Sequence, residues 1–375
     1  MNNYMTIDND TQQAVSPAEN KQISALMGDI LGQRKEDWIT PAKNIEFEIH
    51  DSARGYGLDV ATGKYYPMTD WANKQLNDRL SAGLNTVCTK MVTPDERMHY
   101  TAFVNNLLTI NDRNFMVRTS ATSGLARAVL SSSYAPIDDD LVFGTALPII
   151  GNSNVKMESI GGNRTDTRTF MKFVSKDAQF GFHDGKRQRE FHIGFMASNS
   201  EVGSGYAQFQ AFVTDAFCKN GCIFSKLEIA NAKFLHRGME IKTDVPQLMG
   251  DHVSSAKSEA ALNLIRQATV TAMSHDGHDR IKTLLHEANA QKIEGSAVEA
   301  VKAMGKRFNT SDEETNRLMM LSGNEAQTRF GMQAAITQLA QEAGSYDRRI
   351  ELEKAGGDIL SDNKLWAAIR NLELN

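Results

Sequence analysis

The feature that constrains this chain most is a change of period along its length. Between residues 115 and 229, short runs rich in Phe, Val and Ile show partial alternation: Phe115-Met116-Val117-Arg118-Thr119, then 168–174, 190–197, 206–213 and 222–229. Turn residues bound them: Gly161-Gly162-Asn163, His183-Asp184-Gly185, Gly203-Ser204-Gly205 and Asn220-Gly221. Period-two runs between glycine-bearing turns make hairpins, so an antiparallel sheet is predicted here. Beyond about residue 245 the chain becomes rich in Ala, Gln, Glu and Lys, and the apolar spacing becomes helical. Helices are predicted over 254–274, 278–290, 297–307, 312–321, 325–342 and 362–372. The expected fold is α+β: a central antiparallel sheet with packed helices, followed by a mainly helical C-terminal region.

Ahead of the sheet, residues 1–22 are polar, and Ile23, Leu26, Met27, Ile30 and Leu31 follow at helical spacing. Ile45-Glu46-Phe47-Glu48-Ile49 alternates, and a run over 56–61 is separated from Lys64-Tyr65-Tyr66 by Thr62-Gly63, which predicts a small antiparallel sheet. A helix is expected after the N-cap candidate Thr69, and another from Pro94, a favourable first helical residue. The predicted organisation is a polar arm with a short helix over 1–40, an α+β core over 41–245 and a helical region over 246–375.

The net charge of −5 over 375 residues argues against nucleic acid only if it is evenly spread. It is not. Residues 1–112 hold 10 Lys/Arg and 15 Asp/Glu, residues 113–242 hold 16 and 12, and residues 243–375 hold 15 and 19. A mildly basic middle lies between acidic flanks. Three cysteines in so long a chain exclude a disulfide framework. The first 22 residues lack a secretory pattern and no run of about 18 apolar residues occurs, so a cytoplasmic protein without membrane spans is expected.

No phosphate loop, nucleophile elbow, HExxH or paired CxxC is present, so no catalytic residue, cofactor or metal is assigned. Gly203-Ser204-Gly205 reads as a hairpin loop with an anion-binding nest as the lesser alternative. Cys218 and Cys222 flank an Asn-Gly turn and lack the further ligands that zinc needs. His275, Asp276 and His278, with His286 beyond, read as polar residues around a helix C-cap at Gly277. Asp138-Asp139-Asp140 offers oxygen ligands, but three consecutive carboxylates cannot all face one point, which favours an exposed loop ahead of a helix.

The richest stretch is 164–192, where Arg164, Arg168, Lys172, Lys176, Lys186, Arg187 and Arg189 interleave with Phe170, Phe173, Phe180, Phe182 and Phe191. In a strand, Arg168, Phe170 and Lys172 share a face and Phe173 takes the other. Such a face would pair phosphates and stack bases of a single strand. The competing reading is a half-buried strand with core phenylalanines.

Certain segments carry a resemblance. The run from Ala126 to Asp138, ARAVLSSSYAPID, looks like the RAxLSxxYxxID element of the phage- and plasmid-borne family known as domain of unknown function nine-three-two. Asn199-Ser200-Glu201-Val202-Gly203 is similar to its NSEVG loop, Cys218-Lys219-Asn220-Gly221 to its CxNG turn, and Thr328-Arg329-Phe330-Gly331 with Ala334 to Thr337 to its late helix. The resemblance implies an α+β fold and a mobile-element setting close to replication or recombination genes. In outline, the layout is also similar to phage single-strand annealing proteins of the RecT and Redβ type.

The function expected from these readings is single-stranded DNA binding or annealing without nucleotide hydrolysis. Arg164, Arg168, Lys172, Lys186, Arg187, Arg189 and Lys219 would neutralise phosphates, and Phe170 or Phe182 would support bases. The expected partners are single-stranded DNA, further copies in a ring or filament, and a single-strand-binding protein or exonuclease. The alternative is an interaction protein, an adaptor or inhibitor of a host factor, with no nucleic-acid role.

Overall fold

A computed structural model describes residues 17–33, 35–49, 55–59, 63–91, 93–216, 221–224, 232–234, 263, 266, 269–270 and 275–371. The fold is α+β. Helix α1 (Pro17–Gly32) precedes strand β1 (Lys35–Pro41), and β2 (Ile45–Ile49), β3 (Gly55–Asp59) and β4 (Lys64–Pro67) form the small antiparallel sheet expected from the alternation. Thr69 caps α2 (Asp70–Leu80), α3 (Leu84–Cys88) follows, and Thr93 with Glu96 forms a capping box on α4 (Pro94–Thr109). Helix α4 buries Tyr100, Val104 and Leu108 against Phe47 and Leu76. From the same helix Asn105 reaches β2: its side-chain amide donates to the Phe47 carbonyl at 2.9 Å and accepts from the Phe47 N–H at 2.8 Å, acting as a further strand.

The strand predicted around Phe115 does not join the central sheet. As β5 (Asn114–Ser120) it pairs with β1 and with β6 (Leu125–Ser131) in a separate three-stranded sheet of order β1-β5-β6. Neither β1 nor β6 was marked by alternation, because charged and small side chains interrupt both. Helix α5 (Asp139–Gly151) then leads into the central antiparallel sheet, made of β7 (Met157–Arg164), β8 (Thr169–His183), β9 (Gln188–Asn199), β10 (Ala207–Asp215), β11 (Gly221–Phe224) and β12 (Ala232–Phe234). Its order is β11-β10-β9-β8-β7, with β12 also on β10.

Both faces of this sheet are covered. One face packs Met171, Phe173, Phe195, Phe209 and Phe224 against α1, α5, α6 (His275–Ala290) and α9 (Arg329–Gln341). The other packs Phe170, Met196, Phe212 and Ile223 against Ile350 and Tyr346 of α10 (Tyr346–Ser361). The assignment of Phe170 and Phe173 to opposite faces therefore holds. The C-terminal helices α7 (Ala297–Arg307), α8 (Asp312–Asn324) and α11 (Asn363–Asn371) complete a second core with α9 and α10 around Met304, Leu318, Leu352 and Trp366.

The helical region thus shares its core with the sheet. The helices predicted from apolar spacing leave out 346–361, and the Gly356-Gly357 pair inside α10 breaks a helical pattern there. Packing requires that break: a Cβ on Gly357 would lie 2.0 Å from the Ile223 carbonyl oxygen, so only glycine lets α10 lie on β11. Gly277 also differs from expectation, lying in the first turn of α6 rather than at a C-cap, where its N–H needs no intrahelical partner. The predicted helix over 254–274 lies almost wholly outside the described residues. Among the described residues no helix is long and apolar enough to cross a membrane.

Candidate functional site

The β9–β10 loop carries Asn199-Ser200-Glu201-Val202-Gly203. Glu201 is buried, and its carboxylate gathers cations from three strands. One oxygen lies 2.7 Å from Lys35 Nζ of β1 and accepts from the Asp139 N–H at 3.0 Å. The other accepts from Arg127 of β6 at 2.7 Å and Arg164 of β7 at 2.9 Å. The Glu201 carbonyl accepts from Arg118 of β5 at 2.8 Å. This cluster joins the β1-β5-β6 sheet to the central sheet.

Electrostatics follow from that geometry. Burial pushes the Glu201 carboxyl up, but Lys35 and Arg127 override it and hold the group well below the ordinary carboxylate range. Asp139 goes the other way. Burial and the nearby Glu201 charge push it up to about 6, against the opposing effects of Thr169, Arg164 and Asn199. Thr169 donates to it at 2.6 Å and Asn199 at 2.8 Å. Of the three consecutive carboxylates, Asp138 and Asp140 turn toward Glu201 and Asp139 turns away into the sheet. The Lys35 ammonium lies 3.3 Å from Asp138, 3.2 Å from Asp140 and 2.7 Å from Glu201, so it occupies the centre that a cation would take among these carboxylates.

The rest of the loop is clamped from outside. The Val202 carbonyl accepts from Trp71 Nε1 at 2.9 Å and from Gln75 Nε2 at 2.8 Å, both on α2. Gly203 adopts φ +71°, and a Cβ there would meet Leu130, Gln75 and Tyr134. Arg168 donates to the Ser204 hydroxyl at 3.2 Å and to the Ser204 carbonyl. Around this loop Trp71 and Tyr134 remain half-buried, and Tyr206 is 42% exposed. Lys74 lies 5.8 Å from the Trp71 ring centroid. Trp71 and Tyr134 thus flank the loop that Tyr206 ends, with Arg168 and Lys74, itself 2.6 Å from Asp78, beside it.

The residues singled out from the sequence are dispersed by comparison. Arg164 belongs to the Glu201 cluster and Arg168 to the loop clamp. Phe170 and Lys172 are buried under α10, with Phe170 5.5 Å from the Tyr346 ring. Lys172 Nζ lies 2.5 Å from Glu353 Oε2. Phe182 is buried among Phe180, Phe191 and Phe330. Arg189 is buried between Asp184 at 2.6 Å, Asp215 at 2.9 Å and Glu325, over the Phe330 ring. Arg187 also pairs with Glu325, and Lys186 is exposed and donates to the Gly323 carbonyl at 3.1 Å. Lys219 and Cys218 lie outside the described residues.

The expectation of a single open cationic face on β8 and β9 is therefore corrected for Phe170, Lys172, Phe182 and Arg189. Carboxylates from α10 and from the segment before α9 neutralise the cations that alternation placed together. Trp71, Tyr134 and Tyr206 were not among the candidate site residues read from the sequence. The available signal was Tyr134 inside the RAxLSxxYxxID-like run and Tyr206 three residues after the NSEVG-like run.

The family model described as Domain of unknown function (DUF932) matches residues 126–356, more than half of the chain and including both motif segments that meet at Glu201. No curated protein and no solved structure matches.

Proposed function

The chain belongs to the DUF932 family, and from that premise we propose that it is a single-stranded DNA-binding protein of a mobile element, acting in recombination or replication without nucleotide hydrolysis. The observation that carries this reading is the grouping of Trp71, Tyr134 and Tyr206 with Lys74 and Arg168 at the clamped 200–206 loop. Aromatic faces stack bases whatever their identity, and neighbouring cations meet phosphates. The Glu201 cluster fixes the loop, so the surface is formed before ligand arrives and less ordering entropy opposes binding. Exposed Lys186, at the far end of the β8–β9 ribbon, is a second and separate contact for phosphate. Holding strands in this way speeds their pairing by proximity alone.

Fluorescence anisotropy with a labelled single-stranded oligonucleotide tests the proposal. Tyr206→Ala should weaken binding by roughly 5- to 150-fold, the equivalent of about 1–3 kcal/mol for one stacked base, with unchanged melting. Lys74→Glu should lower both affinity and its salt dependence. A wild-type protein without salt-dependent affinity removes the reading. The second reading, an adaptor or inhibitor of a host factor, is favoured by the ion pairing of Lys172, Arg187 and Arg189, which leaves few cations for phosphate.

A further inference from the structure

Four Lys and Arg side chains are buried among the described residues, and three of them meet carboxylates. Arg118 pairs with Asp37 and Asp138, Lys172 with Glu353, and Arg189 with Asp184, Asp215 and Glu325. Arg329, the first residue of α9, is the exception: it is 3% exposed, and no carboxylate lies within 4.0 Å of its guanidinium. Burial lowers its pKa, against the more distant charges of Asp362 and Glu287. Its neighbours are neutral. Nε donates to the Ile359 carbonyl in the last turn of α10 at 2.6 Å, and Nη1 donates to Gln291 Oε1 at 3.0 Å and to Asn363 Oδ1 at 2.8 Å. Nη2 is buried and meets no acceptor. The guanidinium carbon lies over the Trp366 ring at 5.9 Å, and Trp366 Nε1 is likewise buried without an acceptor. Two neighbouring buried donors with nothing to donate to, one of them charged, mark a place for negative charge.

We propose that Arg329 is the receptor for a phosphate group at the junction of α6, α9, α10 and α11. Nε is committed to Ile359, which leaves the Nη1–Nη2 edge, and the parallel N–H bonds of that edge match two oxygens of an oxoanion. Gln291 is half-buried and Asn363 exposed, so the two carboxamides over Nη1 are the side on which solvent reaches the guanidinium. A charged acceptor displaces them because its bond to arginine is roughly twice as strong as a neutral one. Lys292 and Lys364, next in sequence to the two carboxamides, are both exposed, and their charge favours phosphate over a singly charged anion.

The inference does not rest on nucleic-acid binding by the aromatic loop, and its first test uses none. Melting of the full chain is followed in inorganic phosphate up to about 50 mM at constant ionic strength, with chloride as the balancing anion. The melting temperature should climb with phosphate, the folded state gaining about 50-fold at that concentration for a Kd of about 1 mM. Gln291→Glu supplies an internal carboxylate to Arg329. It should melt above the wild type without phosphate, although a carboxylate after the C-terminal end of α6 opposes that helix's dipole, and its gain from phosphate should be at least about tenfold smaller. Arg329→Gln should lose the phosphate response; if that variant fails to fold, Gln291→Glu still decides. A wild type indifferent to phosphate, or Gln291→Glu that responds as strongly as the wild type, overturns the proposal. An oligonucleotide with a terminal phosphate that reproduces the shift, where its unphosphorylated twin does not, assigns the site to a strand end. A shift with inorganic phosphate alone assigns it to the free ion.

Discussion

Glu201 and Arg189 are opposite solutions to one problem. Each is a buried charge of the central sheet ringed by opposite charges from other elements. Around Glu201 the cations Lys35, Arg127 and Arg164 keep 14–16% of their side-chain surface in water. Around Arg189 the carboxylates of Asp184, Asp215 and Glu325 keep 6% or less. The first cluster ties two sheets at a partly wet seam beside the aromatic loop. The second fastens the β8–β9 hairpin to the start of α9 in a dry setting. Charges at the wet cluster can rehydrate when a partner is lost, and those at the dry one cannot, so the two should fail by different amounts.

The largest effect is expected at the dry cluster. Arg189→Met removes the cation that three buried carboxylates share and should cost about 3–5 kcal/mol in denaturant unfolding. Lys186→Glu in the same hairpin, being exposed, should change stability by less than about 0.5 kcal/mol. Equal losses at the two positions would dissolve the distinction between buried and exposed charge in this hairpin.

Glu201→Gln should cost less, about 2–3 kcal/mol, because Lys35, Arg127 and Arg164 regain some hydration. It should also loosen the loop, so amide exchange in residues 200–206 should accelerate more than in the β8–β9 tip. A loss as large as that of Arg189→Met would show that the seam is as dry as the hairpin cluster in solution.

The third cluster effect depends on pH. Asp139 sits at about 6 in the folded chain against 3.8 as its ordinary value, so the folded state binds the extra proton between pH 4 and 6. Stability contributed by this group is present below pH 4 and declines as pH rises to 6. Asp139→Asn should therefore gain on the wild type across that window, by on the order of 1–3 kcal/mol, in melting measured at several pH values. Glu201 has the opposite sign, since its depressed pKa contributes stability at neutral pH that is lost on acidification. A difference between Asp139→Asn and wild type that stays flat from pH 4 to 6 would mean that Asp139 titrates as an ordinary carboxyl.

Much of the fold was legible because its signals are local. Thr69 and Pro94 start their helices where the sequence places them, α7 spans 297–307 as predicted, and Gly185 takes φ +98° at the expected β8–β9 turn. Strand β7 escaped notice because Gly161-Gly162 reads as a turn, while in the sheet the register shift between Ser159 and Gly161 absorbs it within one strand. The candidate site was legible only as fragments. The RAxLSxxYxxID-like and NSEVG-like runs stand out in the chain, but nothing in either shows that Arg127 and Glu201, 74 residues apart, share a hydrogen bond.

The sequence by itself determined the period of each segment, the turns between strands, and which residues share a strand face. It placed Arg168, Phe170 and Lys172 together and Phe173 opposite, because alternation is a property of neighbouring backbone units. Only the tertiary structure decided whether each charge meets water, phosphate or carboxylate. Lys172 was matched with Glu353, 181 residues away, and Arg189 with Glu325, 136 residues away. The energy of a charge is set by its desolvation and by its nearest opposite charge, and both depend on contacts that local pattern does not encode.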